Sequence, residues 1–177
     1  MVLMRMKAFI VTGAALLAAA LAFVSPVHAQ KRDYLTETEA NKIRDSDTPD
    51  QRIRLFITFA SDRIKKLQYE LGHPGDTLHR ADRLNALING YTGCVDDAAD
   101  LIELGVEKQQ DIHAAIKEMQ ARAPEFLTYL KDLQTKGKEI ADFKDNLDDA
   151  VDATSDALRT ANESESEVAP PPVRRPQ

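Results

Sequence analysis

A single cysteine, Cys94, occurs in the 177 residues, so the fold contains no internal disulfide. A lone cysteine also excludes haem attachment through a Cys-x-x-Cys-His motif. Cys94 stands next to Val95, on an apolar stripe described below, and no Lys, Arg or His is close to it in sequence. We therefore predict that Cys94 is a small buried residue and not a reactive thiol.

Basic residues are the minority charge, with 23 Lys and Arg against 29 Asp and Glu. An excess of acid lacks the basic face that nucleic-acid binding requires, so we predict no nucleic-acid partner. The same balance argues against sustained binding to anionic lipid. After residue 29 no segment is long and apolar enough to span a bilayer, and we predict no transmembrane segment in the mature chain.

The first 29 residues have the organisation of a secretory signal peptide. Arg5 and Lys7 precede an uncharged run over 8–24, and Val27-His28-Ala29 places small residues where a signal peptidase reads them. The alternative is an uncleaved anchor, but seventeen residues fall short of the roughly 20 that a bilayer needs. We predict cleavage after Ala29 and export to the periplasm or beyond, which leaves 21 basic and 29 acidic residues.

An apolar stripe with alternating steps of four and three residues dominates the rest of the sequence. This average period of 3.5 keeps one face of a helix against a partner, and no segment alternates as a strand does. The pattern predicts an all-α protein, an antiparallel helical bundle built around one long helix over about 76–122. The stripe comprises Leu84, Ile88, Tyr91, Val95, Ala98, Ile102, Gly105, Gln109, Ile112, Ile116, Met119, Ala123, Phe126, Leu130, Leu133, Gly137 and Ile140.

Breaks in this pattern set the expected boundaries. The stripe keeps its phase through Gly105, which favours a continuous helix there; a hairpin at Gly105 is the alternative. Pro124 should break or kink the helix, because its ring clashes with the carbonyl four residues back. We expect a bundle domain over 30–162, with 30–34 as a flexible lead, and a disordered acidic and proline-rich tail over 163–177.

Capping signals predict two shorter helices before the long one. Thr36 and Glu39 form a capping box, which starts the first of them. Thr48, followed by Pro49, begins a helix that continues to 71 with an apolar face. The helical period of the long helix runs undisturbed through Gly90 and Gly93, and we interpret these glycines as points where a neighbouring helix approaches closely.

Metal ligands are sparse in the sequence. His73 and His79 flank the turn over 72–76, and Asp76 or Asp82 could join them in a weak zinc or copper site. A surface pair of histidines is the commoner explanation, so we predict no metal site. A final helix is predicted from about Ile140, and its acidic residues have the spacing of a solvated face: Asp145, Asp148, Asp149, Asp152 and Asp156.

No motif for catalysis or for a cofactor is present. The serines of the mature chain have no Gly-x-Ser-x-Gly context, and the sequence has no phosphate-binding loop or dinucleotide fingerprint. We therefore predict no catalytic residue, no cofactor and no enzymatic activity. A hydrolase whose serine and histidine meet only in space remains an alternative.

The mature chain opens with a recognisable set of residues: Asp33, Tyr34, Leu35, Thr36, Glu39, Ala40, Ile43, Arg44, Pro49, Arg52 and Ile53. This opening resembles that of a group of exported bacterial helical proteins of unknown function. The resemblance covers about thirty residues. It implies an exported helical protein, and it carries over no site, because the group has no known activity.

Together these features predict an exported, non-catalytic helical bundle that acts as a binding or scaffold protein in the periplasm or cell envelope. Its partner would be another protein or an envelope component. Two other classes are alternatives: a small metal-handling protein using His73 and His79, and an unrecognised hydrolase.

Overall fold

The computed structural model describes residues 34–73, 75, 78–136 and 140–168. Within these residues the protein is helical and has no strand, which confirms the all-α prediction. The predicted signal peptide lies outside the described residues. The helices are α1 (Glu37–Arg44), α2 (Pro49–Gly72), α3 (Arg80–Glu107), α4 (His113–Lys136) and α5 (Lys144–Ser164), with a short 3-10 helix at Ile140–Asp142 before α5.

Helices α2 to α5 form a four-helix bundle, and α1 packs on α2. Successive helices run antiparallel. In the α4–α5 pair, for example, Gln120 bonds Asn162 at one end and Gln134 bonds Asp148 at the other. Each helix therefore returns along the bundle, as the short connections between them require.

The connection from α3 to α4 crosses the bundle diagonally, so α3 packs mainly on α2 and α5. Helices α3 and α5 are consequently parallel neighbours: Tyr91 bonds Thr154, and farther along both helices Thr160 bonds Glu103. Helices α2 and α4 are also parallel neighbours. Because α3 and α5 point the same way, their C-terminal ends lie at the same end of the bundle.

The predicted single helix over 76–122 is wrong, and the hairpin alternative is correct. Helix α3 ends at Glu107 and α4 begins at His113. The end of α3 is a Schellman motif, in which the Gln110 N–H bonds the Gly105 carbonyl at 2.8 Å and the Gln109 N–H bonds the Val106 carbonyl at 3.0 Å. Gln109 occupies the left-handed position with φ 53°.

The sequence concealed this turn for two reasons. Glycine normally fills the left-handed position of a Schellman motif, whereas this chain has glutamine there. The turn is also of a length that keeps the four-three phase of the stripe. Gly105 is needed for close approach, since a Cβ at this position would lie 2.6 Å from the Ile112 Cδ1 atom.

Replacing Gln109 by glycine should stabilise the protein. A non-glycine residue in the left-handed region costs about 1–2 kcal/mol, and glycine removes this cost. Glycine also gives the unfolded chain more conformational freedom, which cancels part of the gain. We expect Gln109→Gly to raise the free energy of unfolding by about 0.5–1 kcal/mol in urea titration. The control is Lys108→Gly, because Lys108 has φ −87° and should lose stability instead. A loss in both variants would contradict the strain at Gln109.

The predicted break at Pro124 is also wrong, because Pro124 lies inside α4. Its side chain is exposed, while Ala123 and Phe126 on the other side of the helix are buried. Proline lacks the N–H that would have bonded the carbonyl of Gln120, so the helix loses one hydrogen bond at this turn. A proline on the solvent face can therefore be accommodated without ending the helix.

The apolar stripe forms the centre of the bundle on both sides of the turn. Tyr91 from α3 and Phe126 from α4 meet edge to face across the diagonal, with ring centroids 5.6 Å apart. Gln109 is exposed and belongs to the turn. The fully or almost fully buried stripe residues are Leu84, Ile88, Tyr91, Val95, Ala98, Ile102, Ile112, Ile116, Met119, Ala123 and Leu130.

Both ends of the described chain are more ordered than the sequence suggests. Tyr34, assigned above to a flexible lead, packs against the core. At the other end α5 continues to Ser164, and Ser164 and Val168 are buried, so the tail does not begin at residue 163 as predicted. Residues 169–177 lie outside the described residues.

Candidate binding surfaces

The predicted metal candidates do not converge on one site. The ring of His73 stacks on Tyr69 at 4.3 Å, and its Nδ1 lies 3.0 Å from the Tyr69 carbonyl oxygen. His79 Nδ1 is 3.2 Å from Asp82 Oδ2 in an exposed pair. Asp76 lies outside the described residues. Across the described ranges no three His, Cys, Asp or Glu side chains are grouped to hold a metal ion.

An N-terminal strap, residues 34–36, crosses the seam between α2 and α3. The ring of Tyr34 lies over Gly93, where an added Cβ would be 2.7 Å from the ring. The Tyr34 hydroxyl donates to the Asp97 carboxylate. The backbone carbonyl of Tyr34 accepts a hydrogen bond from Arg63 at 2.8 Å. Gly93 therefore allows a close approach, but by an aromatic side chain of the strap and not by a helix.

Arg63 and Glu39 join α1 to α2 through two charge-assisted bonds. Arg63 Nη1 lies 3.0 Å from Glu39 Oε1, and Arg63 Nη2 lies 2.9 Å from Glu39 Oε2. The Arg63 side chain is 8% exposed and that of Glu39 15% exposed. Glu39 also accepts from the Thr36 N–H at 2.8 Å, which confirms the predicted capping box. This planar double contact is the geometry in which an arginine–carboxylate pair is strongest.

Opposing effects act on the Glu39 carboxyl. Burial alone would raise its pKa, but hydrogen bonds from Arg63 and Thr36, together with the charge of Arg63, lower the pKa below its ordinary value. The carboxylate is therefore held in its charged form by the strap and α2.

Two further residues complete the region under the strap. Gly90 lies beside the Arg63 side chain, where a Cβ would be 2.9 Å from Nε. Helix α2 therefore reaches Gly90 through the side chain of Arg63. Cys94 is fully buried, as predicted, although folding brings it near enough to Arg63 for the two to interact electrostatically.

An open cleft of about 540 Å³ lies beside the strap, between α2 and α3. We call it the α2–α3 cleft. Its walls combine apolar surface with charged side chains of both signs. The residues that line it are Tyr34, Thr36, Glu39, Arg63, Lys65, Lys66, Tyr69, Glu70, Arg83, Ala86 and Leu87.

A second surface, the acidic face, lies between the parallel helices α3 and α5. Near the C-terminal ends of both helices four glutamates border a groove of about 340 Å³. Arg159 of α5 pairs with two acids of this surface, with Asp156 at 3.2 Å and with Glu163 at 3.3 Å. The acidic face comprises Asp96, Asp100, Glu103 and Glu107 of α3, Asp156 and Glu163 of α5, and Glu167, which follows α5.

The carboxylates of the acidic face influence one another across the helix pair. The pKa of Asp96 is raised, first by burial and then by the charges of Asp100 on α3 and Asp156 on α5. Asp96 of α3 and Asp156 of α5 are thus close enough to influence each other, and glutamates of both helices line the same groove. The sequence correctly identified the acids of α5 as a helix face, but the opposing acids of α3 could be found only from the packing.

The bundle as a whole is divided by charge. Helices α3 and α5 each have six acidic and two basic residues. Helix α2 has three acidic and five basic residues, and α4 has three acidic and four basic. Because α3 neighbours α5 and α2 neighbours α4, the negative charge is concentrated on one side.

Within the described residues no helix combines the length and apolarity needed to cross a membrane. Comparisons of the chain with protein-family models, with curated proteins and with solved structures find no match.

Proposed function

We propose that the protein is an exported, non-catalytic helical bundle that binds another protein in the periplasm or cell envelope, with the acidic face as its contact surface. The observation that carries this proposal is the charge division of the bundle. A surface with a strong single sign of charge attracts a partner of opposite charge and speeds its association. The partner we infer is a protein segment rich in lysine and arginine.

The position of the acids supports a role in binding, because it is unfavourable for stability. Glu107 is the last residue of α3, and Glu163 is in the last turn of α5. Both lie near the negative ends of their helix dipoles, where an acidic side chain is disfavoured. Departures from a local rule of this kind are expected where a surface serves function.

The proposal predicts opposite effects of one substitution on stability and on binding. Glu107→Gln removes a charge from the C-terminal end of α3 and should raise the free energy of unfolding by about 0.3–1 kcal/mol. The same change should weaken binding of a basic probe. Urea titration and fluorescence anisotropy with labelled deca-lysine measure the two effects on the same protein.

A triple variant gives the larger binding signal. Glu103→Gln, Glu107→Gln and Glu163→Gln together should weaken deca-lysine binding by on the order of tenfold, or about 1.4 kcal/mol, at low ionic strength. The matched control removes three acids elsewhere, as Glu37→Gln, Asp62→Asn and Glu125→Gln. Equal weakening in both triple variants would mean that net charge alone attracts the probe, and would overturn the assignment of the acidic face.

The exported state has its own test, since it rests on the sequence pattern of the first 29 residues. N-terminal sequencing of the protein recovered from the periplasm or medium should begin at Gln30. Retention in the cytoplasm with Met1 intact would contradict export. Stoichiometric zinc, copper or iron in the purified mature protein would favour the metal-handling alternative.

A further inference from the structure

The α2–α3 cleft has the size and lining of a small-molecule site. Its volume of about 540 Å³ falls in the range of roughly 300–1,000 Å³ that is usual for ligand pockets. It lies between α2 and α3, whereas the acidic face lies between α3 and α5. A function of the cleft would therefore be separate from the protein contact proposed above.

Apolar surface is available to a ligand in this cleft. Tyr69 is 63% exposed although it is a large aromatic residue, and its ring is held in place by stacking on His73. Leu87 is half-buried, and Ala86 beside it is exposed. These side chains form a wall against which the hydrocarbon part of a ligand would lose water contact.

The charged residues of the cleft leave a surplus of one positive charge. Arg63 is neutralised by Glu39, and Lys65 pairs with Asp62 at 3.3 Å outside the cleft. Arg83 is close to Glu70, with 3.7 Å between Arg83 Nε and Glu70 Oε2. Lys66 makes no ion pair with any other residue that the structure describes. This surplus positive charge favours binding of an anion in the cleft.

We propose that the α2–α3 cleft binds a small amphipathic monocarboxylate. Its apolar body would lie on Tyr69 and Leu87, and its carboxylate would lie at Lys66, with Arg83 at the edge of the same site. A single surplus positive charge matches a single carboxylate better than a doubly charged phosphate. Apolar walls with a few placed charges are the usual design of sites for such ligands.

The experiment uses the mature protein labelled with ¹⁵N and four probes that separate the two requirements. Octanoate has both an apolar body and a carboxylate, octanamide lacks the charge, acetate lacks the body, and octyl phosphate has a larger charge. Octanoate should shift the amide signals of Tyr69, Leu87 and their neighbours, with binding at least tenfold tighter than that of octanamide or acetate.

Variants locate the site. Lys66→Gln should weaken octanoate binding about tenfold, and Tyr69→Ala should weaken it by a similar factor; both side chains are exposed, so the melting temperature should not change. The control is Lys117→Gln on α4, which is also exposed and should bind octanoate as the unaltered protein does.

Several outcomes would overturn this inference. Equal binding of octanamide would show that the charge is not recognised, and tighter binding of octyl phosphate would assign the cleft to a different anion. Signals shifted across the whole bundle would show detergent-like binding without a site. None of these results would affect the binding of deca-lysine to the acidic face.

Discussion

Leu130→Ala should lower the free energy of unfolding by about 2–5 kcal/mol. Leu130 is fully buried on α4, and the substitution removes packed methyl groups from the centre of the bundle. The loss combines the transfer free energy of those groups with the cost of the cavity that remains. Ile116→Ala, about four helical turns closer to the α3–α4 turn, should behave in the same way, because Ile116 is 1% exposed.

Urea titration monitored by circular dichroism measures this effect. If the slope of the unfolding free energy against urea concentration is the same in the variant, the substitution has not altered the unfolded state. The control is Leu104→Ala, a leucine of α3 that is 37% exposed and should lose much less. A loss below 1 kcal/mol at both Leu130 and Ile116 would mean that the stripe is not the dry centre of the fold.

Glu39→Gln should lower the free energy of unfolding by about 2–3 kcal/mol. Glutamine keeps an oxygen for the Thr36 amide, so the capping box is retained while the charge opposite Arg63 is lost. Removing one partner of a buried ion pair costs roughly 3–5 kcal/mol, and the partial exposure of Glu39 reduces this. Glu37→Gln, in the same turn of α1 and exposed, is the control.

A double-mutant cycle with Arg63→Met separates the ion pair from other effects. Methionine fills part of the same space without a charge, so Glu39→Gln should cost little once Arg63 has been replaced. If Glu39→Gln costs as much beside Met as beside Arg63, then the charge pair is not the source of the stability.

The pH dependence of the same variant follows from the lowered pKa of Glu39. A carboxyl whose pKa is depressed by folding contributes stability above its unfolded pKa, and this contribution is lost as the pH falls through the folded pKa. The difference in unfolding free energy between the unaltered protein and Glu39→Gln should therefore be constant near neutral pH and should shrink below a pH of about 4.5. A difference that grows toward acid pH would contradict the depressed pKa.

Features that depend on nearby residues in the chain were predictable from the sequence. The four-three stripe predicted the burial of most of its own residues, with Gln109 as an exposed exception, because a helix places residues three and four apart on one face whatever its neighbours are. The caps at Thr36 and Thr48 were predictable for the same reason, since each bonds an amide three residues away. All-α architecture and the burial of Cys94 follow from these local patterns.

The path of the chain between helices was decided by tertiary structure. A glutamine in a left-handed turn has no strong local signature, and the turn at Gln109 is stabilised by the packing of Ile112 on Gly105. Pro124 illustrates the opposite error: a strong local signal for a break was overridden, because the surrounding core holds α4 in place and the proline faces water.

Both candidate surfaces likewise depend on which helices become neighbours. The diagonal α3–α4 connection makes α3 and α5 parallel partners, and only this arrangement gathers their acids at one end. The contacts of Arg63 with Glu39 and with Tyr34 span 24 and 29 residues of sequence. Periodicity determined the helical faces and their burial, because those depend on residues within a few turns of each other. Which helical face packs against which other face depends on contacts between residues far apart in the sequence, and only the folded bundle shows the result.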